Sequence, residues 1–244
     1  FCACTPDNVT VDNSLQKYFD SAGVRGCFGL FDNGQGHFTI YNLPRFRDSS
    51  FQPAETFDIP QSLIALQTGI LGDDKSLVAL DSTASVPFTL RQAFQVRYRK
   101  DIFVQLTRRL GQDSLRRWVD SLHYGNKNLG GFPEFWYNDS LKITADEQLG
   151  LIKRLYFDQL PFFNRPQQLV RGIMPLESTT TYRLAYKTAQ TGNRGWVMGW
   201  VEENNHPYFF VVNLESDSAR DLPSIGLQIV KSILRPMGFF EGKK

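Results

Sequence analysis

Between residues 181 and 213 the chain carries three closely spaced segments, Thr181-Tyr182-Arg183-Leu184-Ala185-Tyr186, Trp196-Val197-Met198-Gly199-Trp200-Val201 and Tyr208-Phe209-Phe210-Val211-Val212-Asn213. Aromatic and β-branched side chains suit a pleated, half-buried surface, so all three read as sheet strands. Glu203-Asn204-Asn205-His206-Pro207 supplies turn-forming residues and joins the last two as an antiparallel pair. Near the other end of the chain, residues 25 to 31 and 37 to 42 also read as strands, with Asp32-Asn33-Gly34-Gln35-Gly36 as the hairpin between them. The interior of the chain changes period. Pro60-Gln61-Ser62-Leu63-Ile64-Ala65-Leu66-Gln67 has apolar residues at helical spacing and ends near Gly69 and Gly72; helical patterns recur at 89 to 110, 113 to 122, 145 to 158, 165 to 174 and 224 to 235.

Strands at both ends with helices between predict an α+β fold. Its antiparallel sheet, flanked by helices, has terminal strands that meet, and a helical subdomain of about 60–175 is inserted. Residues 21–244 read as a single domain after an N-terminal segment, 1–20. A cleft between sheet and helical part is where a small-molecule site is expected. Charge excludes one large class of partner: 27 Lys and Arg stand against 25 Asp and Glu, and nucleic-acid binding needs clustered, uncompensated cations. No run approaches the roughly 18–20 apolar residues of a membrane span. Phe1-Cys2-Ala3-Cys4 resembles the tail of an export signal cut just before a lipidated cysteine. That predicts an exported protein, periplasmic or associated with the outer envelope, with a lipid anchor; the plain alternative is a terminus with two incidental thiols. Cys2 and Cys4 are too close for an easy mutual bridge, and Cys27, within Gly26-Cys27-Phe28-Gly29-Leu30-Phe31, reads as a small buried hydrophobe. His37, His123 and His206 lack metal-ligand spacing, so no metal and no cofactor are expected.

Gln52-Pro53-Ala54-Glu55-Thr56-Phe57-Asp58-Ile59-Pro60, followed by Ser62-Leu63-Ile64-Ala65-Leu66, resembles the segment of class D (oxacillinase-type) serine β-lactamases that carries their S-x-x-K motif. The likeness continues, in the family's order, through Thr89-Leu90-Arg91-Gln92-Ala93-Phe94-Gln95-Val96, Tyr124-Gly125-Asn126, Phe135-Trp136-Tyr137, Lys187-Thr188-Ala189 and Gly195-Trp196-Val197-Met198-Gly199-Trp200-Val201-Glu202, spanning about residues 25 to 235. The resemblance implies the β-lactamase/transpeptidase-like fold, shared with penicillin-binding proteins and the β-lactam sensor domains of receptors. It implies a β-lactam or peptidoglycan-peptide ligand.

The resemblance also implies lost chemistry. Where the family has its serine nucleophile this chain has Glu55, and where it has the lysine carbamylated as general base this chain has Asp58. The S-x-V motif falls on Arg97-Tyr98-Arg99, with a one-residue insertion just after it, so its proton-shuttling serine becomes Arg97. The K-T-G motif keeps Lys187 and Thr188 but has Ala189, and Leu222-Pro223-Ser224-Ile225 puts isoleucine where the family's carboxylate-gripping arginine stands. A carboxylate is a weak nucleophile toward an amide, and a helix N-terminus weakens it further by stabilising its charge. Asp58 stops short of the reach of a carbamylated lysine, and a second reading makes it the N-cap of the helix that starts at Pro60.

Arg97 reads either as the partner of Glu55, plugging the former catalytic pocket, or, with Arg99, as part of a solvated helix face. On the ligand side, Lys187 and Thr188 are the candidates for anion contact at an exposed strand edge, and Ala189 adds only a methyl group. Trp136 reads as core packing in place of a lysine partner, and Asn126 as a turn residue able to bond a ligand amide. Trp196 and Trp200 share one sheet face. Asn8-Val9-Thr10 and Asn138-Asp139-Ser140 match the glycosylation sequon, a weak pattern. The expected protein is a catalytically inactive homologue with a binding or structural role in the cell envelope. The alternative is a β-lactam or other hydrolase with altered active-site residues, natural or introduced, using Glu55 or Asp58 as general base on water.

Overall fold

A computed structural model describes residues 8–78, 87–96 and 100–244. Cys2, Cys4, Arg97 and Arg99 lie outside the described residues, and with them the anchor signal and the Glu55–Arg97 pairing. The chain divides into two compact units: one takes Phe1–Ser50, Thr144–Ile152 and Leu176–Lys244, the other Phe51–Ile143 and Lys153–Pro175.

The first unit is built on a seven-stranded sheet of order β1-β3-β2-β9-β8-β7-β6. The three aromatic segments become β7 (Tyr182–Thr191), β8 (Arg194–Glu203) and β9 (His206–Glu215), paired antiparallel throughout. Asn204 and Asn205, both at positive φ (49° and 64°), make the turn between β8 and β9. Two consecutive left-handed residues match the twist of the flanking strands, and asparagine tolerates that conformation. At the other end, β2 (Arg25–Asp32) and β3 (His37–Tyr41) form the expected hairpin, whose turn is fixed by Asp32 Oδ1 accepting from the Gly34 and Gln35 N–H groups. β2 pairs antiparallel with β9, Phe28 opposite Val212, so strands from the two ends of the chain do meet. Short strands β1 (Val9–Val11) and β6 (Leu176–Ser178) finish the two edges.

Side-chain alternation divides the sheet into two faces. Phe28, Leu30, Leu184, Val197, Val201, Phe210, Val212 and Leu214 form one core with Phe19 of α1 (Gln16–Ala22) and with Ile229, Val230 and Ile233 of α9 (Leu222–Leu234). On the opposite face the ring of Phe46, from α2 (Leu43–Asp48), sits directly on Gly29, where a Cβ would come within 2.3 Å of it. Only glycine permits that approach. Arg45 of the same helix bonds Asn213 Oδ1 (2.8 and 3.0 Å) and pairs with Glu215 (3.2 Å).

In the second unit, β4 (Ser50–Phe51) leads to a 3-10 turn, Ala54–Phe57, that runs into α3 (Asp58–Gln67). Every residue of α3 from Asp58 to Leu66 is buried, which suits a segment so rich in Ile, Leu and Ala. The helix expected from Pro60 therefore begins earlier. Asp58 is not its N-cap: Phe57 before it is already helical (φ −69°, ψ −14°) and makes no side-chain cap bond. The single pattern over 89 to 110 is two helices, α4 (Leu90–Gln95) and α5 (Lys100–Leu110), because Val96 is extended at ψ 135°. Thr89 starts α4 with a capping box, exchanging bonds with Gln92. α6 (Gln112–Leu122) and α8 (Asn164–Ile173) also belong to this unit, while β5 (Ile143–Thr144) and α7 (Ala145–Tyr156) contribute residues to both; these three helices lie within two residues of their expected limits. Buried Gln167 of α8 holds the preceding loop, exchanging bonds with Leu160 N–H and O and with Phe162 O. No helix among the described residues is long and apolar enough to cross a membrane.

Candidate functional site

The chain enters α3 through a strained turn. Ala54 has φ 47°, a left-handed conformation uncommon for alanine, and is held there by its N–H donating to Trp136 O at 3.1 Å. The next bonds close the turn behind it, with Thr56 donating both N–H (3.1 Å) and Oγ1–H (2.7 Å) to Pro53 O. The outcome is a buried Glu55, 7% exposed, at the head of the helical run, and a buried Asp58, 3% exposed, one turn on.

Aromatic rings form the surroundings of this turn. Phe57 stacks on Trp136 (centroids 5.7 Å, planes 27°) and meets Phe135 and Tyr124 edge-on at 5.2 and 5.3 Å. Trp136 is fully buried, as the core-packing reading expects, but its indole N–H finds no hydrogen-bond partner among the described residues. Leaving a buried donor unsatisfied costs about 1–3 kcal/mol. Tyr137 completes the group. Burial first, then the Glu55 and Asp58 carboxylates, push its phenol pKa far up, so the hydroxyl stays protonated and both acids bear on it. Lys100 stands 5.4 Å from the Tyr137 ring centroid and pairs with Glu134 at 2.9 Å.

The Tyr124-Gly125-Asn126 corner is fixed by its own backbone. Gly125 has φ 51°, and a Cβ there would fall 2.0 Å from Lys142 O, so the position requires glycine. Asn126 is exposed, yet its side chain is engaged: Nδ2 donates to Ser140 O (2.8 Å) while Oδ1 accepts from Lys142 N–H (3.0 Å) and Asn128 N–H (3.2 Å). These bonds agree with a turn-shaping residue; a ligand amide would have to compete with them.

Lys187, Thr188 and Ala189 lie in the first unit, on β7. β6 pairs with β7 only over Arg183–Ala185, so the three residues follow on the sheet edge. Although the strand edge is open here, the Lys187 side chain is buried, 4% exposed. A strand whose side chains alternate also separates the pair. Thr188 is opposite Val197, which belongs to the α9-side core, whereas Lys187 is opposite Met198 on the other face. Ala189 is buried beside Trp196. Ile225 is half-buried on α9 against the core.

The arrangement around residue 55 sets acids beside donors. Its buried carboxylates can accept hydrogen bonds, and Tyr137 and Trp136 hold donors, but neither carboxylate is an effective nucleophile toward an amide. Two contributors escaped the sequence. The Ala54 strain has no sequence signal, because alanine ordinarily avoids positive φ; Tyr137 had one, its place in the Phe135-Trp136-Tyr137 block beside the motif.

Comparison with known proteins places these motifs in a wider group. The chain matches the model of the penicillin-binding protein transpeptidase domain over residues 31–235. Beta-lactamase OXA-5 of Pseudomonas aeruginosa is 30% identical over 240 residues, covering 92% of this chain and 89% of that protein. Among solved structures, FUS-1 (OXA-85), a class D beta-lactamase from Fusobacterium nucleatum subsp. polymorphum, aligns with a TM-score of 0.87 at 28% identity, over 95% of this chain and 100% of the other. The C-terminal domain of the Bacillus licheniformis BlaR penicillin-receptor aligns equally well, TM-score 0.87 at 27% identity, over 97% and 99%.

Proposed function

This chain belongs to the penicillin-binding protein transpeptidase family, in the part of it that holds class D β-lactamases and a penicillin receptor, and we propose that it binds ligands of that family without turning them over. The ligand class is a β-lactam or the peptidoglycan stem peptide it imitates, and the setting is the cell envelope, reached by export and held by a lipid on Cys4. Residues 21–244 act as one functional domain with its helical subdomain over about 60–175.

One observation carries the reading: a buried carboxylate, Glu55, occupies the strained 3-10 turn leading into α3, the position that resembles the family's S-x-x-K serine. Acyl transfer needs a nucleophile there and a base one turn later, and this chain has acids at both. Loss of a single such group typically costs orders of magnitude in rate, and groups that act as a unit fail together. The Trp136 N–H, without an acceptor among the described residues, supports the same reading, because an unmatched donor is what remains when a partner has been replaced.

The test is reversal. Glu55→Ser, Asp58→Lys, Arg97→Ser and Ile225→Arg combined, incubated with a chromogenic cephalosporin, are expected to show acylation or turnover absent from the unaltered chain, while both proteins bind β-lactam as judged by a saturable rise in Tm. Hydrolysis by the unaltered chain that disappears in Glu55→Gln would instead establish a carboxylate general base and refute the binding-only reading.

A further inference from the structure

The first unit has a small cleft that uses none of the motif residues. It is about 120 Å³ and is lined by Leu30, Asp32, His37, Tyr208, Phe239 and Lys244 among others. Two of its walls are aromatic and perpendicular: the Tyr208 and Phe239 rings meet at 4.7 Å and 89°. Both are largely buried, at 9% and 2% exposure, so the corner they form is fixed by packing. A cation already stands in it. Lys244 Nζ lies 5.5 Å from the centroid of the Phe239 ring, within the distance at which an ammonium is attracted to the ring face.

The charges around the corner favour a cation. Asp32 is on the rim, its Oδ1 engaged by the hairpin turn. Beside Tyr208 on the same sheet face is Glu203, 1% exposed, with Oε1 accepting from Phe240 N–H and Oε2 buried without a hydrogen-bond partner among the described residues. Both carboxylates, after burial, raise the Tyr208 phenol pKa, so their fields fall on the wall of the cleft. His37, also on the rim, directs Nε2 to Thr10 Oγ1 at 2.9 Å. A buried carboxylate oxygen without a donor is costly, and a nearby positive head group offsets that cost.

We propose that this cleft is a binding site for an alkylammonium head group, with Lys244 its intramolecular occupant when no ligand is present. Perpendicular rings supply the π-faces, and Asp32 and Glu203 supply the compensating charge. The group can arrive as the primary amine of a diamino-acid side chain or as the quaternary amine of choline; the chemistry is shared. Lys244→Ala vacates the corner and admits an external ligand.

The experiment titrates the intact chain and Lys244→Ala with n-butylammonium, choline and the neutral isostere 3,3-dimethyl-1-butanol, reading the ring resonances of Tyr208 and Phe239. Saturable shifts are expected with at least one ammonium, at roughly tenfold lower concentration in Lys244→Ala, a factor within the range of one cation–π contact. Which ammonium binds distinguishes primary from quaternary sources. Asp32→Asn, which keeps the turn-holding oxygen, is expected to weaken binding severalfold. Equal shifts with the neutral alcohol, no saturable ammonium binding in Lys244→Ala, no gain over the intact chain, or undiminished affinity in Asp32→Asn would each overturn the assignment.

Discussion

Trp136 illustrates how one side chain reports on its neighbours. Its ring is packed on three sides by aromatic residues, yet its N–H is buried without an acceptor among the described residues. Cys27 gives a simpler case. Fully buried, its thiol is pushed up to about 12, chiefly by desolvation, so at pH 8 it should resist a thiol reagent in the folded chain and react only on unfolding. The same shift fixes a sign. An acid whose pKa is raised by folding lends its full share of stability below the unfolded pKa and loses it as pH climbs toward about 12, so urea midpoints should fall from pH 8 to 10.5, and less steeply in Cys27→Ala. Gly125 is stricter still. Gly125→Ala should cost about 2 kcal/mol or more, read as a drop in Tm, because the added Cβ meets the Lys142 carbonyl and the backbone is left-handed.

Among the elements, those with a strong period were legible and those set by tertiary context were not. The β7–β9 strands and the β2–β3 hairpin carry aromatic and β-branched runs between evident turns, and the structure has them in place. α1 and α2, of seven and six residues, are too short to display a helical stripe and depend on Phe19 and Phe46 docking against the sheet. The start of α3 was misplaced because Pro60 reads as a first-turn signal, whereas the preceding 3-10 turn is imposed by bonds from Trp136 and Pro53 that no local pattern encodes. Long loops follow the same logic. Gln167→Ala should destabilise the chain by about 3 kcal/mol in urea unfolding, since it removes the partner of a buried N–H and two carbonyls in the segment before α8.

At the scale of the whole molecule, the α+β architecture follows from the order of strands and helices, and the family from motif blocks that keep their order along the chain. The candidate site was legible as positions but not as environment. Residues 55 and 58 could be named from the motif, yet their burial, the Ala54 strain and the protonated Tyr137 hydroxyl arise from packing between segments about eighty residues apart in sequence. The burial of Lys187 has a related cause, since strand-edge position does not determine what covers a side chain. The central claim is that a carboxylate has replaced the attacking hydroxyl. Its most direct test is the intact mass of the chain after prolonged incubation with benzylpenicillin. The account predicts an unchanged mass; a stable increase by one penicilloyl group, on any residue, would contradict it.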